Sequence, residues 1–225
     1  MVIGVNERRE KHFLAIEDGV RESKQSWKQV LLGLKNRGMN APKLAVGDGA
    51  MGFWAALDEE FGQTRQQRCW MHKMVNVMNC MPKSMQPKVK SALHEIWQVP
   101  TKDEANKAFD LFEDMFEDKY PKAVNNLRQD REELMAFYDF PAQHWQSLGT
   151  TNPSESTFAT IRHRTKRAKG CLTDKGMLHM MFKLAECAQK NWRRMRDFSF
   201  LAKVITRVRF VDGVEAADKP TRKAA

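Results

Sequence analysis

The stretch Thr151-Asn152-Pro153-Ser154-Glu155 runs directly into Ser156-Thr157-Phe158-Ala159-Thr160-Ile161-Arg162-His163-Arg164-Thr165-Lys166-Arg167. It joins a helix start, one acidic side chain and a basic run within a few turns, so a carboxylate and a phosphate-binding surface share one helix. That pairing points to chemistry on nucleic acid. Local grammar offers a plainer role, because Asn152 as cap, Pro153 at the first helical position and Glu155 at the third make a capping box. A second acid, Asp48, closes the short apolar strand Leu44-Ala45-Val46 between Gly47 and Gly49. Ligand sites in open α/β sheets lie beyond the carboxyl ends of strands, although a Gly-Asp-Gly turn has the same composition. The spacing Cys69-x-x-His72 suits metal ligation, yet zinc needs about four ligands and no second pair follows. Trp70, Met71 and Met74 around it read as core, with the histidine hydrogen-bonded nearby.

These residues need a scaffold, and 225 residues allow one sizeable core or a core with an inserted subdomain. A formal charge of +10 favours a polyanionic partner, with nucleic acid first, because lysines and arginines that neutralise phosphates release condensed counterions. No run approaches the roughly 20 apolar residues of a membrane span. Cys69, Cys80, Cys171 and Cys187 form no CxxC pair and no dense framework, which suits free thiols in a reducing cytoplasm. The opening Met1-Val2-Ile3-Gly4-Val5 lacks the features of a signal peptide and reads as the middle of a sheet, as though an element upstream were absent.

Val2–Val5 and His12–Ile16 predict an antiparallel hairpin. From the cap Ser23, the spacing of Trp27, Val30, Leu31 and Leu34 predicts a helix that Gly38 stops. The strand ending at Asp48 leads to a helix over Met51–Phe61, then to a buried strand over Gln66–Cys69. Residues 73–147 read as a helical insertion carrying Val89, Leu93, Ile96, Trp97, Phe109, Phe112 and Phe116 inward, with the acids between Asp103 and Asp118 on a solvated face. A last amphipathic helix starts near Thr173, with Met177, Met180, Met181, Leu184 and Cys187 inward. Residues 212–225 have the composition of a disordered tail.

The order of several short motifs identifies a family. Gly4-Val5-Asn6, Glu22-Ser23 with Ser26-Trp27, Leu34-Lys35-Asn36-Arg37-Gly38, Gly47-Asp48-Gly49-Ala50, Gln67-Arg68-Cys69-Trp70-Met71-His72-Lys73 and Thr150-Thr151-Asn152-Pro153-Ser154-Glu155-Ser156 together resemble the Mutator-type transposases of bacterial insertion sequences. The resemblance spans roughly residues 1–195. It implies an α/β fold with a ribonuclease H-like core over residues 1–72, the helical insertion over 73–147, and C-terminal helices of the core over 148–211. It also implies that Asp48 and Glu155 are the second aspartate and the closing glutamate of a D, D, E triad holding two Mg²⁺ or Mn²⁺ ions. Cys69 and His72 match the family's C-x-x-H signature as a supporting motif. The implied activity is metal-dependent phosphodiester hydrolysis and strand transfer in a cytoplasmic, nucleoid-associated enzyme. Its partners would be terminal-repeat and target DNA, contacted by Arg162, Arg164, Lys166, Arg167 and Lys169, and further copies of itself.

In one respect the chain departs from the family pattern. The first aspartate is expected on a strand upstream of the opening hairpin, and Asp18-Gly19 does not take its place, since it follows the second hairpin strand. The core is then incomplete, strands flanking the absent one have unpaired edges, and the chain alone is expected to be inactive. A non-catalytic nucleic-acid-binding remnant that keeps only the basic surface is the alternative. An unrelated ribonuclease H-like nuclease fits the C-x-x-H motif and the long insertion less well.

Overall fold

The computed structural model describes residues 1–17, 23–165, 173–195 and 198–216, without the side chains of residues 152–156, 160, 174 and 198–199. Asp18, Lys166, Arg167, Lys169, Cys171 and the segment 217–225 lie outside this set, as does the side chain of Glu155.

The opening hairpin pairs β1 (Val2–Val5) with β2 (Lys11–Ala15), Gly4 opposite His12 and Val5 opposite Lys11. Its loop is held by the Asn6 carboxamide, whose oxygen accepts hydrogen bonds from the backbone N–H groups of Arg8 and Glu10 at 3.0 and 2.9 Å. Helix α1 (Lys24–Asn36) starts at Ser23, whose hydroxyl accepts from the N–H of Ser26, and stops before Gly38 at a φ of +92°. Strand β3 (Leu44–Gly47), helix α2 (Met51–Phe61) and strand β4 (Arg65–Arg68) form a βαβ unit with the strands parallel, Leu44 opposite Arg65 and Gly47 opposite Arg68. Helices α1 and α2 bury Leu31, Leu34, Ala56, Leu57 and Phe61 against each other.

The strands do not merge into one sheet. Among the described residues β1 pairs only with β2 and β3 only with β4, so each has an edge without a ladder partner. All four residues of β1 and all four of β3 line one cleft of about 1580 Å³, to which β4 contributes none. Apolar side chains of α1 and α2, including Trp27, Leu31, Phe53 and Leu57, line the same cleft. The chain is thus mixed α/β with small sheets, and the strand edges next to the cleft are open.

Residues 70–148 form the helical unit, composed of α3 (Trp70–Asn79), α4 (Gln86–Trp97), α5 (Lys102–Phe116), α6 (Pro121–Arg128), α7 (Arg131–Leu134) and α8 (Trp145–Leu148), with short 3₁₀ turns between them. Apolar residues at helical spacing produce one contiguous core that includes Trp70, Val77, Val89, Leu93, Ile96, Phe109, Phe112, Phe116, Leu127 and Tyr138. The acids Asp103, Glu104, Asp110, Asp114, Glu117 and Asp118 are exposed, as their periodicity predicts, whereas Glu113 is half-buried and accepts from Arg128. Met71 is not core. The inward face of α3 is Trp70, Lys73, Met74 and Val77, which leaves Met71 38 % exposed.

Helix α9 (Asn152–Thr165) follows, then α10 (Asp174–Gln189), capped by the Thr173 hydroxyl. Helix α10 lies on β2, where the backbone N–H of Phe13 donates to the Gln189 side-chain oxygen at 2.6 Å and the Phe13 and Phe182 rings meet edge to face. Cys187 is exposed instead of inward, and the buried residue near it on α10 is Ala185. The methionine stripe at 177, 180 and 181 is half-buried.

Helix α11 (Phe198–Ile205) leads to a hairpin of β5 (Phe210–Val211) and β6 (Val214–Glu215), so residues 212–216 are not part of a tail. The hairpin locks onto the helical unit. Gly213 donates to the Tyr138 carbonyl and accepts from the Ala142 N–H, both at 3.1 Å, while the Asp212 carboxylate accepts from the Lys102 N–H at 2.7 Å at the start of α5.

Candidate functional site

Asp48 stands just beyond the carboxyl end of β3 and is exposed. Its Oδ1 accepts from the backbone N–H of Ala50 at 3.3 Å, which steadies the turn into α2. Among the described residues no other hydrogen bond reaches this carboxylate, so the turn role and a ligand-binding role are compatible. Gly49 has a φ of +92°, and a Cβ there would lie 1.5 Å from Nη1 of Arg68. Glycine is required twice over, by backbone conformation and by the guanidinium against it.

Arg68, the last residue of β4, is buried with Lys73, and both cations share the carboxylate of Asp130. Arg68 Nε donates to Asp130 Oδ2 at 2.8 Å, and Lys73 Nζ lies 2.5 Å from the same oxygen. Lys73 also donates to the Asn126 carbonyl at 2.6 Å. Burial pulls the Lys73 ammonium below its ordinary pKa, and Asp130 opposes that shift. This three-residue group fastens the end of β4 and the first turn of α3 to the α6–α7 junction of the helical unit. It leaves one positive charge in excess behind the Asp48 turn. Arg68 and Lys73 belong to the Gln67–Lys73 motif, but nothing in the sequence around Asp130 marks it as their partner.

The C-x-x-H motif makes a further set of contacts. The N–H of Cys69 donates to the Gly47 carbonyl at 2.8 Å, extending the β3–β4 ladder by one bond, and the N–H of Trp70 donates to the Gly149 carbonyl at 2.9 Å. The fully buried Cys69 sulfur accepts from both the backbone N–H and the hydroxyl of Thr151, each at 3.4 Å. His72 Nδ1 lies 3.3 Å from that sulfur and 3.4 Å from the Thr151 hydroxyl. Cys69 and His72 share a face because three residues on a helix return the side chain to the same side. The sequence marks the pair as one motif and Thr151 as the start of another, and neither spacing shows that the two meet.

Helix α9 begins at the next residue. Glu155 falls in its first turn by backbone position, while its side chain, and with it the capping box, is outside the described residues. Thr151, Phe158, Ala159 and Arg162 line the same cleft as Asp48 and His72. Arg162 and Arg164 are exposed on the last turn of α9, which places positive charge at the cleft and beside it. The described residues thus bring Asp48, His72, Thr151 and Arg162 to one cavity, whereas no group of three His, Cys, Asp or Glu among them could hold a metal ion. No helix of the described residues is long and apolar enough to cross a membrane.

Comparison with known proteins agrees with the motif order. The description "Transposase, Mutator family" matches residues 1–195. The transposase for insertion sequence element IST2 of Acidithiobacillus ferrooxidans is 48 % identical over 217 residues, covering 96 % of this chain and 73 % of that protein. The transposase for insertion sequence element IS6120 of Mycolicibacterium smegmatis is 47 % identical over 193 residues, covering 86 % of this chain and 60 % of its own length. A more distant relative, the transposase for insertion sequence element IS1081 of Mycobacterium tuberculosis, is 30 % identical over 162 residues, which are 72 % of this chain and 39 % of that protein. With the match covering almost all of its described elements, the chain belongs to the Mutator family of transposases.

Proposed function

We propose that this chain forms part of the catalytic domain of a DNA transposase of ribonuclease H-like type, in which Asp48 and Glu155 are two of the acids that act on a phosphodiester. The supporting observation is the cleft. Thr151, just before α9, and positions 158, 159 and 162 of that helix line it together with Asp48, and Glu155 belongs to the first turn of the same helix. Arg162 and Arg164 then receive DNA phosphates as they approach the acids, and the net charge of +10 draws DNA to the surface.

A bound pair of Mg²⁺ or Mn²⁺ ions would polarise the phosphodiester and activate the attacking oxygen. The described residues do not fit such a pair unaided. Two carboxylates offset only half the charge of two divalent cations, and no third acid joins Asp48 among the described side chains. The open edges of β1 and β3 offer a place for a strand that pairs on both sides and carries the missing acid. In this reading the chain by itself binds DNA and does not transfer strands, and the complete enzyme works as an oligomer on paired element ends.

The test combines binding and cleavage on duplex DNA carrying the ends of the element, in Mg²⁺ or Mn²⁺. Affinity should fall steeply with salt, and Arg162→Ala with Arg164→Ala should weaken it roughly uniformly across sequences. No cleavage is expected. Cleavage by the purified chain that Asp48→Asn abolishes would refute the incomplete site. The exposed arginines also suit a nucleic-acid-binding remnant without catalysis. That alternative is favoured if Asp48→Asn and Glu155→Gln leave both Mn²⁺ and DNA affinity unchanged.

A further inference from the structure

Three segments distant in sequence meet at Cys69. Its backbone N–H holds the carbonyl of Gly47, the residue before Asp48. Its sulfur holds the N–H and hydroxyl of Thr151, the residue before α9. His72, three residues along α3, lies within 3.4 Å of the same hydroxyl and within 3.3 Å of the same sulfur. The site is fully buried at Cys69 and opens to the cleft through His72 and Thr151.

We propose that Cys69 and His72 are positioning residues that act through Thr151 to fix the first turn of α9 against the carboxyl end of β3. Asp48 and Glu155 are thereby held in one frame. The acid-pair part of this statement rests on the reading of Asp48 and Glu155 given above, whereas the clamp itself does not.

The physical argument begins with helix ends. The first N–H groups of an α-helix have no partner within the helix and take one from outside. Just before α9 the Cys69 sulfur supplies such a partner from outside, accepting the N–H of Thr151 at the junction of β4 and α3. A sulfur atom reaches farther than an oxygen and accepts from two donors here without crowding. It also sits at the N-cap of α3, where the positive end of the helix dipole favours electron density on it. The Gly149–Trp70 backbone bond provides a second attachment two residues earlier. Together they leave the approach of α9 little freedom. A shift of the α9 start by about one ångström would be enough to spoil a metal or substrate geometry built from groups on both sides.

Thr151 gives a clean test, because Val matches its shape without the hydroxyl and Ser keeps the hydroxyl without the methyl. In the full chain, hydrogen–deuterium exchange of the α9 amides should accelerate about fivefold or more in Thr151→Val and Cys69→Ala. Exchange in α4 and α5 should stay at the wild-type rate, and Thr151→Ser should restore protection of α9. Unchanged α9 exchange in folded Thr151→Val and Cys69→Ala would overturn the clamp. Equal acceleration in α4 and α5 would also overturn it, since that is general destabilisation. A second arm measures Mn²⁺ affinity by electron paramagnetic resonance. His72→Ala and Thr151→Val should weaken it severalfold and Thr151→Ser should recover it. If Asp48→Asn and Glu155→Gln leave Mn²⁺ affinity at the wild-type value, the acid-pair reading fails, and the exchange arm still decides the clamp.

Discussion

The helical unit and the α/β unit are built from comparable proportions of apolar residues but are completed to different degrees. In the helices of residues 70–148, Val77, Val89, Leu93, Ile96, Phe109, Phe112, Phe116 and Leu127 are all essentially excluded from solvent. In β1, β2 and β3 no residue reaches that state, and Leu44, Ala45 and Val46 are only half-buried. A helix satisfies its own backbone and needs only a face to pack, whereas a strand needs a neighbour on each edge as well. The helical core therefore closes with the residues at hand, and the sheet does not. The open edges of β1 and β3 concentrate at the cleft where Asp48 stands, so the least complete part of the fold is also the part proposed to act.

The sharpest way to break this contrast is a pair of truncations. Phe112→Ala in α5 should lower unfolding stability by about 3–5 kcal/mol, through lost burial and a cavity that helices on both sides cannot fill. Val46→Ala in β3 should lower it by less than about 1 kcal/mol, because Val46 is only half-buried and lines the open cleft. Urea unfolding of both variants decides the matter. Equal losses would mean that the two units share one core.

The join between the units is the next largest effect. Asp130→Ala leaves Arg68 and Lys73 buried without their carboxylate, at a cost of about 2–3 kcal/mol once the partial exposure of Asp130 is allowed for. Lys73 also gives this join a pH dependence of definite sign. Its folded pKa is lowered by burial, so the folded protein holds that proton less tightly than the unfolded chain. The group therefore subtracts from stability below its folded pKa. The penalty fades as pH rises through that value towards the ordinary 10.5 of lysine. Urea unfolding between neutrality and that pH should show wild type gaining on Lys73→Met, and a gain in the opposite direction would show that Asp130 outweighs burial.

The smallest effect serves as a control. Ser23 caps α1 in the α/β unit and Thr101 caps α5 in the helical unit, each accepting from the N–H three residues on at 3.2 Å. Capping is local, so Ser23→Ala and Thr101→Ala should each cost about 1 kcal/mol in thermal unfolding. A large difference between them would show that the units unfold separately.

Most elements were legible because their signals are local. Periodicity gave α1, α2, α4 and α5 with their inward faces, and the alternation around a polar loop gave the opening hairpin. Strand β4 was harder, since Arg65-Gln66-Gln67-Arg68 is polar throughout. Gln67 is buried because its side chain donates to the carbonyls of Arg68 and Leu134 at 2.8 and 3.1 Å, a solution that periodicity cannot reveal. Met71 and Cys187 were misplaced for a related reason. Apolar character alone does not say which side of a helix meets a neighbour. The short C-terminal hairpin was missed altogether, because two-residue strands are held by Tyr138, Ala142 and Lys102 and not by their own sequence.

By itself the sequence determined the opening hairpin, α1 with its Ser23 cap, α2, the positive charge and the family, all of which depend on residues close together or on motif order. Only the tertiary structure decided that Cys69 meets Thr151, that Asp130 serves two buried cations, and that β1 and β3 face one cleft with Asp48 at its edge. Those outcomes depend on chain closure over long separations, where the gain in contact must exceed the loss of conformational freedom. No local pattern carries that balance.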